Sequence, residues 1–225
     1  MNTKLLAGIL SCAGVFVLVA ESSAENLGLL LKTDPDKYLS IVESANYRRH
    51  LPPLEKQPSR GSKDAKITIV EGIDYCCPGC RHDEADIKEL LKNYHGKVRL
   101  VVLNTPVQQH KNAPLAARVA MSAYNQGKFW PVHEKLLEWN LSGSLFSTVD
   151  GYIPYLKTVP GFDVERFKAD VNSPEVDAML AAEHKVQEKF RIFSTPQFFV
   201  NGVAILGAGD LLRKEIDREL SRVES

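Results

Sequence analysis

At 225 residues, 44% of them apolar, the chain has material for one sizeable domain with room for an insertion. Its 28 basic and 28 acidic side chains cancel and form no basic stripe, which argues against nucleic acid as the partner. Lys4, the mostly apolar run Leu5 to Ala20, and then Ser22-Ser23-Ala24 have the layout of a secretory signal over residues 1–24, cleaved after Ala24. The competing reading is an uncleaved membrane anchor, for which the run falls short of the ~20 residues a span needs. Export predicts a secreted or periplasmic protein in a compartment where disulfides persist. Yet Cys76, Cys77 and Cys80, the cysteines left after cleavage, lie too close together to staple distant segments. They read as chemistry rather than scaffolding.

Residues 25–60 are polar and broken by Pro35, Pro52, Pro53 and Pro58, an N-terminal extension and linker. Tyr38, Leu39, Ile41, Val42 and Ala45 could line one short helix within it, and residues 51–59 read as extended. Order is expected to begin at Ile67-Thr68-Ile69-Val70, a β-branched run suited to a buried strand. Ile87, Leu90, Leu91 and Tyr94 then fall on one helical face, with Gly96 at its end. Val98 to Leu103 is a second strand, so the unit is βαβ with parallel strands.

From residue 112 to 190 the pattern turns helical. Asn112 and Pro114 open one helix, with Leu115, Val119, Ala120 and Tyr124 on its face. Phe129, Val132, His133, Leu136 and Leu137 mark another. Asp163 caps a short helix, and Ser173-Pro174-Glu175 opens a long one. Two apolar runs flank Asn201-Gly202, a strong hairpin signal, and a final helix spans about 210–223 with Leu212, Ile216 and Leu220 inward. The predicted fold class is α/β, read as βαβ followed by ββα with an inserted helical domain. Its boundaries are 61–110 for the first half of the core, 111–193 for the insertion and 194–225 for the second half.

Cys77-Pro78-Gly79-Cys80 falls where the first strand hands over to the first helix. Backbone N–H groups and the dipole at a helix N-terminus favour a thiolate, so Cys77 is the expected nucleophile and Cys80, one turn inside, the resolving thiol. Deprotonating Cys80 calls for a nearby acid or base. Glu71, six residues before Cys77 and placed at the strand's end, can sit beneath the pair. The bland alternative for Glu71 is a solvated strand-end carboxylate. For the cysteines the alternative is a zinc or copper site built from Cys76, Cys77, Cys80 and His82. Pro78 and the strand-to-helix position suit redox chemistry better. His110, His133 and His184 read as packed or surface histidines, and Glu84 with Lys88 as an i, i+4 pair on a solvated face.

The run from Ile69-Val70-Glu71 through Asp74-Tyr75-Cys76-Cys77-Pro78-Gly79-Cys80-Arg81 resembles the DsbA-like branch of the thioredoxin superfamily. Pro106 and His110, Gln126-Gly127-Lys128-Phe129-Trp130 with His133, and Thr195-Pro196 before Phe198-Phe199-Val200-Asn201-Gly202 resemble further segments of that branch, in order over residues 61–223. The resemblance implies a thioredoxin-like fold, with the inserted helical domain roofing the active site. It implies a cis Thr195-Pro196 bond packed on the cysteine pair and shaping the edge where substrate binds, and a buried-acid role for Glu71. Thr195-Pro196 would otherwise read as an ordinary loop. The sequence departs from the pattern in having Pro78-Gly79 with no histidine between the cysteines, and Arg191-Ile192-Phe193-Ser194 where glycines are common.

The function expected is an extracytoplasmic protein thiol:disulfide oxidoreductase that works as an oxidase, with reductase or isomerase as the alternative direction. A thiol-based copper or zinc carrier on the same fold is the alternative of a different class. The resemblance implies thiol-containing protein substrates and a membrane redox partner. No metal or organic cofactor is expected beyond the redox-active pair Cys77 and Cys80.

Overall fold

The computed structural model describes residues 54–190 and 192–224. The expected signal segment and its cleavage after Ala24, and the helix expected near Tyr38 to Ala45, lie outside the described residues.

Five strands form one mixed sheet in the order β1-β3-β2-β4-β5: β1 (Ser59–Gly61), β2 (Ile67–Ile73), β3 (Val98–Asn104), β4 (Gln197–Val200) and β5 (Val203–Leu206). β2 and β3 are parallel, as their crossover through α1 (Pro78–Asn93) requires. The other pairings are antiparallel. Asn201 at φ 45° and Gly202 at φ 92° turn β4 into β5, a left-handed pair that asparagine and glycine adopt at little cost. The Asn201 Oδ1 also accepts from Thr68 N–H at 2.8 Å, tying the hairpin to β2.

Between β3 and β4 the chain runs through α2 (Ala113–Asn125), α3 (Phe129–Glu138), a 3-10 turn (Ser144–Ser147), α4 (Val149–Leu156), α5 (Val164–Asp170) and α6 (Pro174–Phe190); α7 (Asp210–Glu224) closes the fold. Asp163 caps α5 by accepting from Arg166 N–H, and the Ser173 hydroxyl caps α6 by accepting from Val176 N–H. One face of the sheet buries Val70, Val101, Leu103 and Phe199 against Leu54, Phe190 and Ile192. Residues of opposite parity, Ile69, Glu71, Leu100, Val102 and Phe198, lie on the other face.

Four sequence expectations are corrected. The core does not wait for Ile67: Leu54 is buried in it, and Ser59–Gly61, whose first two residues fall in the expected linker, forms an edge strand on β3. A three-residue strand carries too short a pattern to be read. The inner face of α2 is made by Ala113, Ala116, Ala117, Val119, Ala120, Met121 and Ala123, while Leu115 and Tyr124 are half-buried. Close helix packing selected the small residues. Helix α4 escaped prediction because Pro154 lies inside it. Its Tyr152 packs with Phe146 at 5.1 Å between ring centres, and Phe146 in turn stacks on Trp139. Finally, Glu84 is not on a solvated face: its side chain is 13% exposed and lies between Lys88 and His133.

Candidate active site

The cysteine segment is held by its backbone. Cys77 is the N-cap of α1 in an extended conformation, with Pro78 in the first turn, where a missing N–H costs nothing. Its carbonyl accepts from Arg81 N–H at 3.3 Å, and its own N–H donates to the Asp74 carbonyl at 2.9 Å. The Asp74 carboxylate, buried, accepts from Cys76 N–H at 2.7 Å and from Val107 N–H at 2.8 Å, with His110 Nδ1 at 2.9 Å. Asp74 thus ties the loop after β2 to the loop after β3. Sequence reading missed it, although an aspartate ahead of a helix start is a recognisable Asx-turn residue.

The three cysteines are free thiols and all are buried. The Cys77 thiol donates to the Thr195 carbonyl at 3.2 Å. Thr195-Pro196 is a cis bond, and the Pro196 ring lies against Gly79: a Cβ on Gly79 would meet Pro196 Cδ at 2.9 Å and Cys77 Sγ at 3.6 Å. Cys77, Gly79, Thr195 and Pro196 therefore form one contact surface from two distant segments. Cys80, 1% exposed, is the inner thiol. Burial pushes it far above the ordinary thiol range, and the nearby Cys77 and Glu71 add to the shift. Cys76 points inward, and burial with the Asp74 charge pushes its thiol up to about 12.

Glu71 is mid-strand rather than at the strand's end, opposite Val102 on one side and Phe198 on the other. Those apolar neighbours explain its burial, and its Oε2 has no hydrogen-bond partner among the described residues. Burial, with smaller contributions from Glu84 and Asp83, raises its carboxyl to about 8. It is thus protonated at neutral pH and close enough to Cys80 for their charges to interact. A second acid was not foreseen. Glu183 on α6 is fully buried, accepts from the backbone and side-chain N–H of Asn104, and is raised to about 8 by burial. One acid among the several of α6 carries no sequence signal of burial.

Of the histidines, His133 is buried with Nδ1 3.1 Å from the Tyr75 hydroxyl, His110 sits on Asp74, and His184 is exposed beside Glu188. His82 is exposed while Cys76, Cys77 and Cys80 are buried. Among the described residues no group of three or more His, Cys, Asp or Glu is arranged to hold a metal ion. No helix among them is long and apolar enough to cross a membrane.

A parallel βα unit with a dithiol at its helix start, faced by a cis-proline loop, defines a thioredoxin-fold dithiol protein. The comparisons agree. Residues 54–217 match the thioredoxin family model, and the chain belongs to that family, in its DsbA-like branch of thiol:disulfide oxidoreductases. It is 29% identical over 179 residues to a probable disulfide bond formation protein D of Bacillus cereus, covering 74% of this chain and 80% of that protein. It is 32% identical over 161 residues to a Na(+)/H(+) antiporter NhaA of Herminiimonas arsenicoxydans, covering 71% of this chain but only 25% of the antiporter. The chain therefore spans about a quarter of the antiporter's length. Among solved structures it is similar to oxidised BdbD of Bacillus subtilis, with 25% identity, a TM-score of 0.65, and coverage of 78% of this chain and 98% of that one.

Proposed function

We propose that the chain oxidises protein thiols outside the cytoplasm, using Cys77 and Cys80 as its redox pair. The observation that carries this reading is the Cys77 thiol at a helix start, bonded to the Thr195 carbonyl, with Cys80 buried behind it near the protonated Glu71. In the oxidised protein a substrate thiolate attacks Cys77 Sγ. The Cys77–Cys80 bond breaks as the mixed disulfide forms, and Cys80 leaves as a thiolate. A thiolate in so buried a place is costly, and Glu71 supplies the proton that neutralises it. A second substrate thiolate then attacks the substrate sulfur of the mixed disulfide and releases Cys77. Two electrons pass from substrate to the pair, which needs no metal or organic cofactor. Thr195 and Pro196 offer the edge along which substrate lies.

Export by residues 1–24 and a membrane redox partner that reoxidises the pair belong to the same proposal. The name of the Bacillus cereus relative supports the oxidase direction. The absence of a histidine at Gly79 favours the second reading, a reductase or isomerase kept reduced. Equilibration with glutathione buffers separates the two. A potential near about −120 mV fits an oxidase, and one at or below about −200 mV fits the alternative. Cys77→Ser abolishes dithiol oxidation and insulin reduction on either reading, and retained activity in that variant overturns both.

A further inference from the structure

We infer that Phe193 is a specificity-determining residue for this exchange: its ring receives an apolar side chain of the substrate within two residues of the cysteine that reacts with Cys77. The inference deepens, and rests on, the disulfide-exchange reading.

The backbone around Phe193 is fixed at both ends. On one side Ile192 is buried, its N–H donates to the Gln187 carbonyl at 2.9 Å, and its Cγ2 lies so close to Gly72 that a Cβ there would stand at 2.8 Å. On the other side the Thr195 carbonyl accepts from the Cys77 thiol, and the Pro196 ring abuts Gly79. Between these two anchors Phe193 and Ser194 are left outside, and Phe193 is 74% exposed. No other large apolar side chain among the described residues is as exposed; Leu145 follows at 51%.

Single exposed apolar residues are ordinary on a protein surface, so exposure alone means little. Position gives it meaning here. Two residues of chain span at most ~7 Å, which bounds the distance from the Phe193 backbone to the residue whose carbonyl touches the nucleophile. A polypeptide that brings its cysteine to Cys77 along this edge therefore passes within one or two residues of the ring. An aromatic face presented at that point, followed by the neutral Ser194 and Thr195, favours leucine-like side chains over polar or charged ones.

The test uses the reduced protein and short homodimeric disulfide peptides with alanine backgrounds, carrying leucine or serine two residues before or after the cysteine. Cys77 thiolate attacks one peptide sulfur and releases one peptide thiol. Cys80 then attacks Cys77 Sγ, releases the second, and leaves the pair oxidised. Hydroxyethyl disulfide, which has no side chain to offer the ring, reports the exchange chemistry separately. Leucine at one of the two positions is expected to raise the second-order rate roughly tenfold over serine. In Phe193→Ser that ratio falls to about one, and in Phe193→Leu most of it is kept. Equal rates for leucine and serine peptides in the wild type, or an unchanged ratio in Phe193→Ser, overturn the inference while leaving the exchange reading intact. A wild-type protein inert to hydroxyethyl disulfide and to all the peptides overturns both.

Discussion

Replacing Glu71 with glutamine isolates the cost of keeping a carboxyl buried between Val102 and Phe198. In the folded protein this group titrates at about 8, against an ordinary 4.5, so the folded state holds a proton that the unfolded chain has lost across that interval. Stability then falls as pH rises, by about 1.4 kcal/mol per pH unit for one such group. It is fully present below 4.5, and the loss is complete above 8. At pH 7 the two and a half units amount to roughly 3 kcal/mol, which glutamine, neutral in both states, does not incur. Glu71→Gln should therefore match the wild type in stability at pH 4 and exceed it by roughly 3 kcal/mol at pH 7, a rise in Tm on the order of 10 °C. Glu183 titrates in the same window, so the variant still loses stability with pH, on a shallower slope than the wild type. The assay is denaturant unfolding of the reduced protein at several pH values between 4 and 9. Exchange kinetics on the same samples should show a gain in stability and a loss in activity together, with turnover at least ~10-fold slower because the proton donor to Cys80 is gone. Parallel stability profiles for the two proteins would refute the reasoning, since they would mean that Glu71 is ionised in the fold.

Alkylation at pH 7.5 followed by peptide mapping should label Cys77 well before the other thiols of the site, because burial raises both Cys76 and Cys80; comparable labelling of Cys80 would remove the division of roles. Gly79→Ala places a methyl 2.9 Å from Pro196 Cδ, so the proline loop must move, at a cost of roughly 1–3 kcal/mol seen in thermal unfolding together with slower exchange. Asp74→Asn leaves one acceptor oxygen for two backbone donors, Cys76 N–H and Val107 N–H, and turns an NH2 group toward one of them. That should cost roughly 2–3 kcal/mol by denaturant titration, and an unchanged midpoint would show that the clamp is not needed.

The sequence by itself determined the main strands and helices and where the cysteine pair falls among them. Ile67 to Val70 and Val98 to Leu103 are β-branched or apolar runs whose strand character is local, Asn201-Gly202 is a turn by its own φ preferences, and Pro78 with two flanking cysteines marks a helix start. Each of these is written in neighbouring residues, where short-range sterics decide. Only the tertiary structure decided which distant groups meet. That Gly79 is the one residue slim enough to let Pro196 approach, that Asp74 clamps Val107, and that the edge strand Ser59–Gly61 belongs to the sheet depend on packing across long stretches of chain. The two raised carboxyls make the same point. Glu71 and Glu183 have the same side chain as the exposed Glu188 and Glu89, and nothing near them in sequence separates them. Desolvation is the property of a place rather than of a residue, and that place exists only once sheet and helices close around it.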